Sequence, residues 1–215
     1  LIKYEISKRP KQAIFLDGFP RAHDQVNYSL YLKELIGYRE DPDFFVFINV
    51  PDSIIDERIK FRVICPNCHT PRNLKLLATK DVGYDKDKKA FYLMCDDPVC
   101  DKARMVPKEG DEFGIEPIRD RLEVDNQIIQ KLLTLTGVPK VYLRNSIPKD
   151  QASGLVDDYE ITPQYNYEQD EATGAIKTTE SSWLIKDDDG VESVSLLPAA
   201  VVVSFIKQVA NVLGL

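Results

Sequence analysis

Four cysteines, Cys65, Cys68, Cys95 and Cys100, constrain the fold of this chain more than any other feature. They form two close pairs, C-x-x-C and C-x-x-x-x-C, and they use every cysteine among the 215 residues. Two thiolate pairs on tight turns supply the tetrahedral, soft ligand set that suits zinc. Pro66 and Asn67 fit the first turn, and Asp96, Asp97 and Pro98 fit the second. Cys65-Pro-Asn-Cys68-His69 also matches the C-x-x-C-H haem-attachment pattern. That alternative needs an exported apoprotein and leaves Cys95 and Cys100 without a role. The expectation is a structural zinc site, with His69 as a turn residue beside it.

Composition narrows the rest. With 43% hydrophobic and 29% charged residues, the chain reads as an ordinary globular protein and excludes collagen-like or wholly disordered classes. Its length suits one domain, or one domain carrying a large insertion. A formal net charge of −7 argues against a nucleic-acid coat protein. The longest near-continuous apolar run, Leu196 to Ile206, is far short of the ~20 residues that span a bilayer. The mixed polar start predicts no signal peptide, hence a cytoplasmic protein with reduced thiols and with neither membrane nor nucleic-acid partners.

Apolar spacing in Leu1, Ile2 and Ile6 predicts the end of a helix. Ala13 to Leu16 reads as a buried strand entering a loop at Asp17-Gly18, Gln25 to Leu35 as a helix closed by Gly37, and Phe44 to Val50 as a second buried strand. Asp52 is placed to cap the next helix, through Ile54, Ile55 and Ile59. Strand, helix, strand, helix is the pattern of an α/β domain with a parallel sheet. The cysteine segment, about Val63 to Val106, interrupts it with short strands. Glu116 to Leu135 is helical in period, Val141 to Leu143 is a strand candidate and Pro198 to Leu213 a closing amphipathic helix. Between Val156 and Glu192, 11 acidic residues face two lysines, and alternation around Gly174 and Gly190 predicts β-hairpins. Asp187-Asp188-Asp189-Gly190 reads as an exposed turn, since it lacks EF-hand spacing.

Phe15-Leu16-Asp17-Gly18-Phe19-Pro20-Arg21, followed by Gln25, resembles the signature of adenylate kinases. Asp56-Glu57-Arg58-Ile59 with Arg62 is similar to the start of that family's mobile lid. The four cysteines fall where its zinc-containing members hold a lid metal. Ile118-Arg119-Asp120-Arg121-Leu122 resembles the helix returning from the lid. The resemblance covers nearly all of residues 1–150. It implies a parallel-sheet P-loop-kinase-like core, with its first strands missing, and a small β-rich zinc-binding lid; the hairpins read above add a C-terminal β-hairpin insertion. The implied segments are core 1–57, lid 58–121, core 122–155, acidic insertion 156–197 and closing core helix 198–215.

The resemblance also implies the chemistry, reversible phosphoryl transfer from Mg-ATP to AMP by a monomer. Asp17, Arg21, Arg62 and Arg121 would be catalytic. Gly18, Arg21, Gln25 and Arg121 would bind AMP. Arg58, Arg62 and Arg119 would bind ATP, and Asp17 would position magnesium through water. Such a transfer depends on positioning and charge stabilisation, which guanidinium groups supply bidentately. The family's Phe-Pro bond is cis, so Phe19-Pro20 is expected cis. His23 and Trp183 read as structural.

The sequence departs from the family in places. No Gly-Lys dipeptide of a phosphate loop occurs in the 215 residues. The chain, which begins at Leu1, is therefore expected to be truncated at its N-terminus and inactive alone. Lys108 stands near the position of a family arginine, and the segment 156–197 has no recognised counterpart. Two other readings remain: a kinase for another nucleoside monophosphate, or a non-catalytic zinc-ribbon binding module.

Overall fold

This computed structural model describes residues 2–38 and 40–215; Leu1 of the first helix reading lies outside them. In chain order, α1 (Ile2–Ser7) and α2 (Gln25–Ile36) precede β1 (Phe45–Asn49) and α3 (Asp52–Lys60). Short strands follow: β2 (Arg62–Ile64), β3 (Pro71–Asn73), β4 (Val82–Asp85), β5 (Ala90–Leu93) and β6 (Val106–Pro107). Next come α4 (Arg119–Leu133), β7 (Lys140–Arg144), β8 (Ser146–Pro148) and α5 (Lys149–Leu155). The acidic segment gives β9 (Pro163–Gln169), β10 (Ile176–Ser182), β11 (Leu184–Lys186) and β12 (Glu192–Ser195), and α6 (Pro198–Leu213) closes the chain.

The chain divides into two compact units. The first comprises Leu1–Phe47, Ile118–Leu143 and Phe205–Leu215. Its core joins Val26, Phe47, Ile128 and Leu132, flanked by Phe45, Ile129 and Leu135. Gly37 ends α2 in the left-handed region at φ 82°, where its N–H bonds the Glu34 carbonyl and a side chain would be strained. β1 and β7 run parallel as a two-stranded sheet.

Ala13–Leu16 corrects the sequence reading: it forms no strand, and Phe15 is 74% exposed. A strand needs a neighbour's backbone groups to complete its ladder, and the described sheets offer none here.

The second unit comprises Ile48–Pro117 and Arg144–Ser204. Here β3, β2 and β6 form one antiparallel sheet and β4 and β5 a hairpin. The acidic segment is built into this unit. β9 and β10 pair over seven residues each, and β12 lies between β11 and β8. Tyr165 N–H donates to the Lys75 carbonyl at 2.8 Å, and Tyr167 Oη–H to the Leu74 carbonyl at 2.7 Å. The Tyr167 ring also stands 5.5 Å from that of Phe91. Trp183, 1% exposed, packs with Ile54, Leu76 and Ile185, in keeping with its structural reading.

Two further expectations are revised. Asp52 does not cap α3; Pro51 occupies that position, and the Asp52 N–H donates to Asp188 Oδ1 at 2.9 Å. A carboxylate reaching in from another segment thus meets the helix's positive end. The acidic turn is not wholly exposed either. Asp187 is buried and accepts from the Asp189 and Val191 amides, the Ser193 hydroxyl and Arg144. Among the described residues, no helix is long and apolar enough to cross a membrane.

Candidate metal centre and phosphate-binding residues

The metal-type centre assembles from two turns. At the first, the His69 N–H bonds the Cys65 carbonyl at 3.0 Å and Cys65 N–H bonds the Thr70 carbonyl at 3.1 Å. His69 itself takes φ 59°, which makes it a turn residue. At the second, a 3-10 turn over Pro98–Cys100 absorbs the longer spacing, with Asp97 Oδ1 accepting from the Val99 N–H. Asp101 and Lys102 then take positive φ, and Cys95 N–H closes onto the Ala103 carbonyl at 2.9 Å. The four ligand sulfurs all lie within 4.8 Å of one another, and Cys68 Sγ and Cys95 Sγ are 3.7 Å apart. Tetrahedral zinc with Zn–S of ~2.3 Å implies a sulfur separation of ~3.8 Å. The donor set and its spacing therefore fit zinc.

Around the sulfurs, Val63, Leu93 and Met105 form a buried apolar shell. Hydrogen bonding with Thr70 brings the Cys68 thiol down to about 6. Burial pushes Cys100 upward instead. A divalent ion would offset that cost by holding the thiolates.

In the first unit, the Asp17–Arg21 loop makes the tight arrangement its sequence implies. Gly18 sits at φ 64°, and a Cβ there would lie 2.5 Å from Arg21 Nη2. The left-handed backbone there favours glycine, and a side chain would also push the guanidinium aside. Phe19-Pro20 is cis. The Arg21 N–H donates to Gln25 Oε1 at 2.8 Å, so Gln25 fixes the loop from the first turn of α2. Asp17, Arg21 and His23 are exposed. Arg119 and Arg121 stand in the first turn of α4, where positions two apart diverge by about 200° around the axis. Arg121 Nε lies 3.7 Å from Asp125.

In the second unit, α3 presents Arg58, and Arg62 opens β2. Arg62 makes a two-pronged contact with Asp111, Nε to Oδ2 at 2.6 Å and Nη2 to Oδ1 at 2.7 Å. The hydrogen bond to Asp111 raises the Arg62 pKa further. Arg58 is half-buried, and burial lowers its pKa. Its Nη2 donates to the Ser195 hydroxyl at 3.5 Å. Lys108 is exposed, and its carbonyl accepts from the Asp111 N–H.

Sequence reasoning assigned no role to Asp111, Asp187, Arg144 or Ser195. Ser193 and Ser195 lie just past the hairpin reading, and nothing in the sequence marks their hydroxyls as buried.

No protein-family model matches the chain. It is similar to curated proteins named adenylate kinase. That of Clostridium novyi (strain NT) is 31% identical over 123 residues, 57% of this chain and 49% of the relative. That of Mycoplasma mobile is 27% identical over 127 residues, 59% of this chain and 50% of the relative. That of Clostridium acetobutylicum is 27% identical over 158 residues, 73% and 62% of the two chains. The chain spans about half the length of the first two relatives. These similarities support a nucleoside monophosphate kinase relationship. The mixed α/β fold and the clustered cysteines are consistent with it.

Proposed function

We propose that this chain is part of a zinc-lid adenylate kinase, which transfers the terminal phosphoryl of Mg-ATP to AMP and back. The observation that carries the reading is the Gly18–Arg21–Gln25 arrangement: the Arg21 guanidinium lies against Gly18, and the Arg21 backbone N–H is tied to Gln25 of the next helix. An exposed, oriented arginine of that kind is suited to an AMP phosphate. Gln25 would read the adenine edge, and Arg121 would share the phosphate. Arg58, Arg62 and Arg119 would carry ATP phosphates, and Asp17 would hold the magnesium that accompanies ATP, through water. Cys65, Cys68, Cys95 and Cys100 would hold zinc, which supplies structural cross-linking and no chemistry on phosphate. The reducing conditions that keep such thiols free favour the cytoplasm.

Without a Gly-Lys phosphate loop in these 215 residues, the chain alone is expected to produce no ADP in a coupled assay. Binding is separable from turnover. Calorimetry with AMP, GMP, CMP and UMP tests the reading directly. AMP should bind tightest, and Gln25→Ala should remove that preference. A preference for another base would point to a different nucleoside monophosphate, and no binding to any would favour a non-catalytic zinc module.

A further inference from the structure

We infer that Ser195 is a positioning residue for Arg58, holding its guanidinium on a neutral acceptor so that the charge is left for a phosphate. The inference rests on the phosphate role proposed above for Arg58. It gives the segment 156–197, which has no recognised counterpart, a part in that site.

The two lid arginines are held differently. Arg62 has its charge answered by a buried carboxylate. Arg58 is half-buried, yet among the described residues its guanidinium meets no carboxylate, only the Ser195 hydroxyl. A half-buried cation without a counter-ion is costly, and an anionic ligand is one way to offset that cost.

Ser195 cannot be treated as incidental contact. It is 0% exposed, and its hydroxyl is fully used. It donates to Asn145 Oδ1 at 2.9 Å and accepts from Thr162 Oγ1 and Arg58 Nη2, each at 3.5 Å. The bond to Asn145 orients the hydroxyl, and its oxygen then faces Thr162 and Arg58 at longer range. Asn145 is held in turn through Nδ2 to the Leu196 carbonyl at 3.0 Å. Register reinforces this: Ser195 sits opposite Ser146 in the β12–β8 pair. The same segment also holds the start of α3, through Asp188 to the Asp52 N–H and through the Lys186 carbonyl to the Ser53 hydroxyl. The helix that bears Arg58 is therefore held at its start and at the arginine itself.

The test is a double-mutant cycle on Mg-ATP binding to the full 215-residue chain, followed by NMR titration. Ser195→Ala should weaken binding by about three- to tenfold, Arg58→Ala at least as much, and the double variant no more than Arg58→Ala alone. AMP affinity should not change in Ser195→Ala. Unchanged Mg-ATP affinity in Ser195→Ala, while Arg58→Ala weakens it, overturns the positioning role. So do losses that simply add in the double variant, since they mark a general structural effect. Unchanged affinity in Arg58→Ala overturns the phosphate role of Arg58, and the inference with it. If Ser195→Ala fails to fold, judged by Trp183 emission, the same cycle with Ser195→Cys carries the same outcomes.

Discussion

Asp111 grips Arg62 with both carboxylate oxygens, at 2.6 and 2.7 Å, from a position only 7% exposed. An arginine suited to phosphate is thus answered by a carboxylate of its own unit, so a phosphate would have to displace it. The same stretch of chain is also held at a second carboxylate, Asp56. Gly114, at φ 59°, passes so close to Asp56 that a Cβ would lie 1.9 Å from Oδ1, which accepts from the Ile115 N–H. Asp111→Asn keeps the shape and removes the charge. Urea unfolding should show a loss of about 1–2 kcal/mol, modest because Arg62 is partly solvated. Mg-ATP binding should at the same time strengthen or hold. Unchanged stability together with weaker binding would contradict this account of the pair.

The cysteine centre should hold one zinc per chain by elemental analysis. Cys65→Ser with Cys68→Ser should abolish it, and a chelator should loosen the β2–β6 segment before the first unit. The link is physical: the sulfurs are part of the same buried cluster as Val63, Leu93 and Met105. Zinc content unchanged in the double serine variant would remove the metal claim.

Trp183 is the only tryptophan and is 1% exposed, so native emission should be blue-shifted and should red-shift on unfolding. Trp183→Ala opens a cavity against Ile54, Leu76 and Ile185 and should cost about 3–5 kcal/mol. A loss below about 1 kcal/mol in denaturant titration would show that the acidic segment is not built into this unit's core.

The sequence read some of these features well and others poorly. The cysteine pairs and the helices around Gln25 and Arg119 follow from local chemistry, turn residues and apolar period, whereas the cis Phe19-Pro20 bond is expected only from the family resemblance. Ala13–Leu16 failed as a strand because its apolar run says nothing of whether a ladder partner exists. Asp187 was misread for the opposite reason. Its neighbours look like a solvated turn, and only the fold brings Arg144 and Ser193 to it. The grip of Asp111 on Arg62 spans 49 residues and leaves no periodic trace.

Asp187 also makes a pH prediction. Burial alone would raise its carboxyl, but the Val191 and Asp189 amides, the Ser193 hydroxyl and Arg144 outweigh it and hold the pKa below 3.8. A pKa depressed in the folded state means stability that is present above 3.8 and lost as pH falls below it. Asp187→Asn should therefore flatten the acid limb of the stability profile. Profiles that stay parallel down through that range would contradict the assignment.

The most direct measurement is residue-resolved NMR of the isotope-labelled chain titrated with AMP, and separately with Mg-ATP. The account predicts that AMP shifts the backbone amides of Gly18, Arg21 and Gln25, and that Mg-ATP shifts the guanidinium signal of Arg58. Shifts absent from all four residues at saturating nucleotide, with zinc bound and the fold intact, would contradict a nucleotide-kinase site in this chain.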